Sequence, residues 1–143
     1  MEKKLGIYAG SFNPYHIGHE DIYRQASKVF DEVMIAQCYD RGKGQPANLK
    51  LKGRNVIHHG GLLYELFYKE YQVGKFLVRG LRTSFDVGYE SDLRNVLLDF
   101  DPTIKIVYFF CKKEHEHVSS SMIRSLYGFG DENYKKYLVE GDI

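Results

Sequence analysis

Four short apolar runs, Leu5 to Ala9, Val33 to Cys38, Phe76 to Val78 and Ile104 to Cys111, alternate with segments whose apolar residues recur at helical spacing. Runs of that length, rich in Ile, Val and aromatics, read as buried strands. After the first, Ile22, Ala26, Val29 and Phe30 fall at i, i+4, i+7 and i+8, one apolar stripe on a helix from about Gly18 to Phe30. Tyr89, Leu93, Val96 and Leu97 repeat the spacing on a helix from about Asp86 to Asp99. Leu62 to Tyr71 forms a third helical segment, and a fourth begins at Ser120 or Ser121; Asn55 to His59 reads as one more short strand, ended by Gly60-Gly61. Strands alternating with helices demand right-handed crossovers, which place helices on both faces of a parallel sheet. The expected fold class is α/β, a three-layer sandwich with a mostly parallel sheet, and 143 residues suit a single domain over 1–143.

Charge narrows the function classes. Twenty basic and nineteen acidic residues leave a net charge of +1, which argues against a nucleic-acid coat or a polybasic membrane anchor, so any anion site is local. Cys38 and Cys111 lie in apolar runs without CxxC pairing, and both are expected to be buried packing residues. The apolar run after Met1-Glu2-Lys3-Lys4 is too short for a signal peptide, and no stretch approaches the ~18 apolar residues of a membrane span. A soluble, cytoplasmic chain with no membrane or nucleic-acid partner is expected. Asp40 to Arg54, dense in Gly and Lys and without periodicity, reads as a loop.

Chemistry concentrates in three segments that follow strands. In the first, Gly10-Ser11-Phe12-Asn13-Pro14-Tyr15-His16-Ile17-Gly18-His19, the chain leaves a strand, turns, and starts a helix whose free N–H groups favour an anion. The glycine spacing fits neither a Walker A loop nor G-x-G-x-x-G, and the i, i+4 histidine pair of a zinc-protease helix is absent. His16 and His19, three apart, can turn to one point and donate to a phosphate; local capping or packing of each is the structural alternative. The second segment, Val78 to Glu90, carries Arg79 and Arg82 around Gly80-Leu81 directly after a strand, suited to fork-shaped contacts with separate phosphates or to bridges with acids such as Asp86. The third, His115-Glu116-His117-Val118-Ser119-Ser120-Ser121-Met122-Ile123-Arg124, offers serines that cap a helix and, with its free N–H groups, can close on phosphates. Its His-Glu-His run reads as a solvated loop.

The first segment resembles the (H/T)xGH loop of the nucleotidyltransferase superfamily. Class I aminoacyl-tRNA synthetases have a similar HIGH sequence, but they are far longer and use a KMSKS-like loop that is missing here. Arg79-Gly80-Leu81-Arg82 followed by Asp86-x-x-Tyr89-Glu90 narrows the resemblance to phosphopantetheine adenylyltransferase, and Ser119-Ser120-Ser121-x-x-Arg124 is similar to the superfamily's serine loop. The resemblance runs from Leu5 to about Tyr137, with the three motifs in the family's order.

It implies a Rossmann-like fold and transfer of adenylyl from ATP to 4′-phosphopantetheine, giving dephospho-coenzyme A and pyrophosphate, with Mg²⁺ accompanying ATP and no dedicated metal ligands. By position it implies Ser11 and His19 at the nucleotide phosphates, with His19 the transition-state stabiliser. Phe12 and His16 lie on the ATP side, and Lys43 contacts both substrates' phosphates. Arg79 falls to the acceptor phosphate, Gly80, Arg82 and Glu90 to ATP, and Ser119, Ser120 and Ser121 to the closing serine loop. Glu65 stands where the family places a small apolar residue against the pantetheine arm, and Asn48-Leu49-Lys50-Leu51-Lys52-Gly53-Arg54 replaces a helix. A homo-oligomer, the family's hexamer, is the expected assembly. Competing readings are adenylyl transfer to nicotinate or nicotinamide mononucleotide, cytidylyl transfer from CTP, and a nucleotide-binding module without turnover.

Overall fold

The computed structural model describes residues 3–43, 48–68 and 74–139, with the side chains of Lys43 and Tyr68 outside that description. Strands β1 (Leu5–Gly10), β2 (Glu32–Cys38), β3 (Asn55–His59), β4 (Lys75–Leu81) and β5 (Ile106–Phe110) form one sheet in the order β3-β2-β1-β4-β5. Every pairing is parallel. Helices α1 (Ile17–Ser27), α2 (Glu65–Tyr68), α3 (Ser84–Phe100) and α4 (Ser120–Gly128) complete the fold, with 3-10 turns at Arg41–Lys43, Lys113–His115 and Glu132–Tyr137.

Strand alternation divides the core into two apolar layers. On one face Tyr8, Val33, Ile35 and Val78 pack with Ile22 and Ala26 of α1. On the other, Ile7, Ala9, Ala36 and Leu77 pack with Leu97 of α3. Ile7, Ile35, Leu77 and Val78 have no exposed surface, and each such side chain contributes about 1.5–3 kcal/mol of burial. The expected α/β three-layer sandwich is the observed one. Gly80 lets α1 lie close to β4, because a Cβ there would stand 2.8 Å from Ile22 Cγ1.

Several local expectations shift. Strand β4 runs beyond Val78 to Leu81, so Arg79 and Gly80 are strand residues, while β5 is shorter than its apolar run. Helix α1 ends at Ser27, which puts Val29 past the helix and 58% exposed. On α3 the buried line passes through Glu90 and Leu97, leaving Tyr89 and Val96 exposed. The reason is polar: Arg79 points up from β4 and a carboxylate, not an apolar group, meets it. Helix α2 covers only Glu65–Tyr68 of the expected 62–71 segment, whose residues 69–71 lie outside the described residues. Cys111 is buried, but Cys38, at the open end of β2, is only half-buried. His115 is half-buried within a 3-10 turn rather than solvated.

Candidate active site

In the order β3-β2-β1-β4-β5 the direction of chain progression reverses between β1 and β4, the place where ligands of parallel sheets collect beyond the strands' carboxyl ends. The register of the two strands ends at Tyr8↔Val78, although they continue to Gly10 and Leu81, so their ends part. Into this gap run the β1–α1 loop and the β4–α3 turn.

His16 is the N-cap of α1. Its Nδ1 accepts from Gly18 N at 3.0 Å, and His19 Nδ1 accepts from His16 N at 3.1 Å, a reciprocal capping box built from two imidazoles. The local alternative, capping, is therefore real, and it has a chemical consequence. A nitrogen that accepts from a backbone N–H carries no proton, so each neutral ring bears its proton on Nε2. Among the described residues neither Nε2 has a hydrogen-bond partner. The rings stack with centroids 3.7 Å apart, and His19 also stacks on Tyr15 at 5.4 Å and meets Phe12 edge-on at 4.9 Å. Burial, with Arg82 and His115 nearby, lowers His16 to about 4; burial, then His16 and Arg82, holds His19 well below its ordinary value. The result is a pair of neutral donors in a cationic neighbourhood.

That depression makes stability depend on pH. Between about 4 and the ordinary 6.5, His16 takes up a proton in the unfolded chain and not in the folded one, so stability rises with pH across this window and falls on acidification. The slope from one such group reaches about 1.4 kcal/mol per pH unit. Denaturant unfolding at several pH values is expected to show this loss, and His16→Asn, which keeps an N-cap acceptor, is expected to flatten it in part.

On β4, Arg79 is held from two sides. Its Nε donates to Glu90 Oε1 at 2.8 Å, Nη2 stands 2.7 Å from the same oxygen, and Nη1 donates to Ala9 O at 2.8 Å across the gap. Nη1 and Nη2 each retain an N–H. Arg82 donates its backbone N–H to Asp86 Oδ2 at 2.7 Å, and its half-exposed guanidinium reaches Asp86 and the Val118 carbonyl. Ser119 caps α4, its Oγ accepting from Met122 N at 3.1 Å, while Ser120 Oγ donates to Pro14 O at 2.8 Å and Arg124 Nη1 to Asn13 O at 2.6 Å. The start of α4 is thus tied to the β1–α1 loop, and Ser121 remains exposed.

Ser11 is exposed, and its carbonyl accepts from the buried Gln37 at 3.2 Å. Phe12 is buried at φ +45°, which leaves its backbone, not its ring, to face a ligand. Lys43 closes the Arg41–Lys43 turn, and its side chain lies outside the described residues. Glu65 starts α2 and lines a cavity of about 540 Å³ with Cys38, Tyr39, Asp40, Arg41 and Leu62, beyond the ends of β2 and β3. Sequence reasoning did not single out Gln37, which also accepts from Leu49 N at 2.9 Å. Its one signal is an amide inside the run Val33 to Cys38. Among the described residues no cluster of three His, Cys, Asp or Glu could hold a metal ion, and no helix is long and apolar enough to cross a membrane.

Comparison with known proteins places this geometry in a family. Residues 7–58, from β1 through β3, match the cytidylyltransferase-like family. Over 94% of the chain it is 30% identical to the phosphopantetheine adenylyltransferase of Lacticaseibacillus casei, covering 87% of that protein. It is 34% identical to the enzyme of that name from Buchnera aphidicola (95% of this chain, 88% of the relative) and 30% to that of Mycoplasma capricolum (93% and 99%). Among solved structures, a bifunctional NMN adenylyltransferase/ADP ribose pyrophosphatase from Francisella tularensis superposes with a TM-score of 0.60 at 14% identity, over 95% of this chain and 44% of that one. A lipopolysaccharide core biosynthesis protein from Thermoplasma volcanium gives 0.54 at 19%, over 77% and 98%. At such identities the structures speak to fold alone, while the sequence relatives decide the family: this chain is a nucleotidyltransferase that belongs to the phosphopantetheine adenylyltransferases.

Proposed function

We propose that the chain transfers adenylyl from MgATP to 4′-phosphopantetheine, releasing pyrophosphate and dephospho-coenzyme A, in one in-line displacement. The observation that carries this reading is the imidazole capping box at the splayed ends of β1 and β4, which fixes both Nε2–H groups as neutral donors beside Arg82 and the serine-capped α4. An acceptor phosphate is already anionic and needs no strong base. The obstacle is bringing two anions together and stabilising charge on the α-phosphate and the leaving group.

In this mechanism the acceptor phosphate oxygen attacks the α-phosphorus while the bond to pyrophosphate breaks. His19 donates to the α-phosphate, and Lys43 balances charge between the two substrates. Ser11 and the Phe12 backbone line the nucleotide side with His16 and Gly80. Arg82 and Ser119 to Ser121 hold the pyrophosphate oxygens. Arg79, pre-oriented by Glu90 and Ala9, offers its remaining N–H groups to the acceptor phosphate, and the cavity at Glu65 takes the acceptor's arm. ATP chirally labelled with sulfur at the α-phosphorus tests the single step. Inversion at phosphorus is the expected result; retention would require a covalent intermediate and refute the mechanism.

The same reading has the chain working in the cytoplasm as a homo-oligomer, with the family's hexamer as the expected form. Supporting association, Phe85, Tyr89, Val96 and Phe100 of α3 and Phe110 of β5 are exposed apolar side chains, Phe85 at 92%. Multi-angle light scattering is expected to return a mass several times 16.6 kDa, and a monomer at micromolar concentration would contradict it.

A further inference from the structure

Behind His19 lies a polar cluster whose members touch neither substrate in the displacement just described. Tyr15 has no exposed surface; its ring stacks on His19, interplanar angle 28°, and its hydroxyl donates to Glu20 Oε1 at 3.0 Å. Glu20, adjacent to His19 in sequence, is 8% exposed. Its Oε2 receives Arg24 Nε at 3.0 Å and Arg54 Nη2 at 2.7 Å. Arg54 arrives from the β2–β3 connection, 34 residues away, and its guanidinium lies over the Tyr23 ring at 4.4 Å. Among the described residues its Nε is buried without a partner.

Burying a carboxylate to meet a half-buried guanidinium is a poor way to gain stability. Removing the Glu20 charge from water is costly, and apolar residues of similar volume commonly serve as well or better at such a site. Packing of α1 therefore gives no reason for a charged group at Glu20. Geometry supplies one. The side chains of the cluster reach the gap at β1 and β4 through the Tyr15 ring, which stacks on the His19 imidazole and also lies against the Phe12 ring. Burial would raise the Glu20 carboxyl, but hydrogen bonds from Arg54, Arg24 and Tyr15 outweigh it and keep the group ionised. Burial and the adjacent Glu20 in turn keep the Tyr15 phenol protonated, a permanent donor.

We infer that Tyr15, Glu20 and Arg54 are positioning residues for the transfer: the Glu20 carboxylate, neutralised by Arg54, clamps the Tyr15 ring, and the clamped ring holds the His19 imidazole in its donating orientation. This rests on His19 being the α-phosphate donor. The β2–β3 connection thereby supports the site from behind.

Pyrophosphate release with ATP and 4′-phosphopantetheine, measured well below the unfolding midpoint, tests the inference. Glu20→Gln is expected to lower kcat about tenfold and Tyr15→Phe about threefold, with KM for ATP changed by less than about twofold. The double variant is expected to be no slower than Glu20→Gln alone, since both cut one chain of contacts. Arg54→Lys is expected to recover most of the rate lost in Arg54→Ala. Arg24→Ala, which removes the solvent-exposed arm, is expected to stay within about twofold of the parent.

Unchanged kcat in Tyr15→Phe and Glu20→Gln alongside a lower unfolding midpoint would reduce the cluster to a structural brace and overturn the inference. Losses that multiply independently would do the same. Should Glu20→Gln fail to fold, the ¹⁵N resonances of His19 in Tyr15→Phe decide: displaced shifts support the clamp, and parental shifts refute it. That spectroscopic result stands apart from turnover. If His19→Ala keeps parental activity, the role given to His19 fails on its own account.

Discussion

Replacing His19 with alanine is expected to slow pyrophosphate release by roughly 10²–10³-fold while the protein stays folded, the scale seen when a single preorganised donor to developing charge is removed. The fold survives because the His19 ring makes local contacts only, as acceptor for His16 N at 3.1 Å and as neighbour of the His16, Tyr15 and Phe12 rings, and an orphaned cap N–H costs about 1–3 kcal/mol while both core layers of the sheet stay intact. The catalytic loss is large because the lost donor is fixed before the reaction begins. His19 Nδ1 is occupied by the backbone, so Nε2 bears the proton, and the ring is stacked between His16 at 3.7 Å and Tyr15 at 5.4 Å. Single-turnover rates with bound ATP, alongside circular dichroism of the variant, check both halves of the expectation. Near-parental turnover would remove His19 from the chemistry.

The second large effect belongs to Arg79 and Glu90. Their side chains are 17% and 7% exposed, and the pair is bound through more than one nitrogen. Arg79→Met leaves the Glu90 carboxylate buried without its partner, a loss of about 3–5 kcal/mol, whereas Arg79→Met with Glu90→Met restores apolar packing and most of that stability. Activity is not expected to return in the double variant, because the N–H groups offered to the acceptor phosphate are gone. Urea unfolding set against initial rates for the two single variants and the double one separates these outcomes. Full activity in the double variant would show that Arg79 serves the fold alone.

These two sites show where sequence reasoning reaches and where it stops. Short-range pattern located the strands, the start of α4 and the clustering of His16 with His19, because spacing along a chain is itself local geometry. It could not say which ring nitrogen bears the proton. That depends on backbone N–H groups at His16 and Gly18 seeking acceptors once the helix has formed. The residues of Arg79-Gly80-Leu81-Arg82 and Glu90 were legible as a motif, yet the motif assigned Arg79 and Glu90 to different substrates and gave no hint that they bind each other. The apolar spacing of α3 predicts a stripe through Tyr89 and Val96, since hydrophobicity identifies apolar residues, while the actual buried line passes through Glu90 and Leu97, set by Arg79 beneath the helix. Least legible was Glu20 with Arg54, a contact made by packing between elements 34 residues apart.

Joining ATP to a phosphorylated acceptor bearing a pantetheine arm is the reaction these groups are proposed to serve. It is tested most directly by measuring pyrophosphate release from MgATP with 4′-phosphopantetheine, nicotinate mononucleotide or nicotinamide mononucleotide as acceptor, identifying the product by mass spectrometry, and repeating the reaction with CTP. Rapid release with ATP and 4′-phosphopantetheine, yielding dephospho-coenzyme A, with the other pairings slower by orders of magnitude, is the result predicted. Release that is faster with either mononucleotide or with CTP, or tight ATP binding with no release for any acceptor, would contradict it.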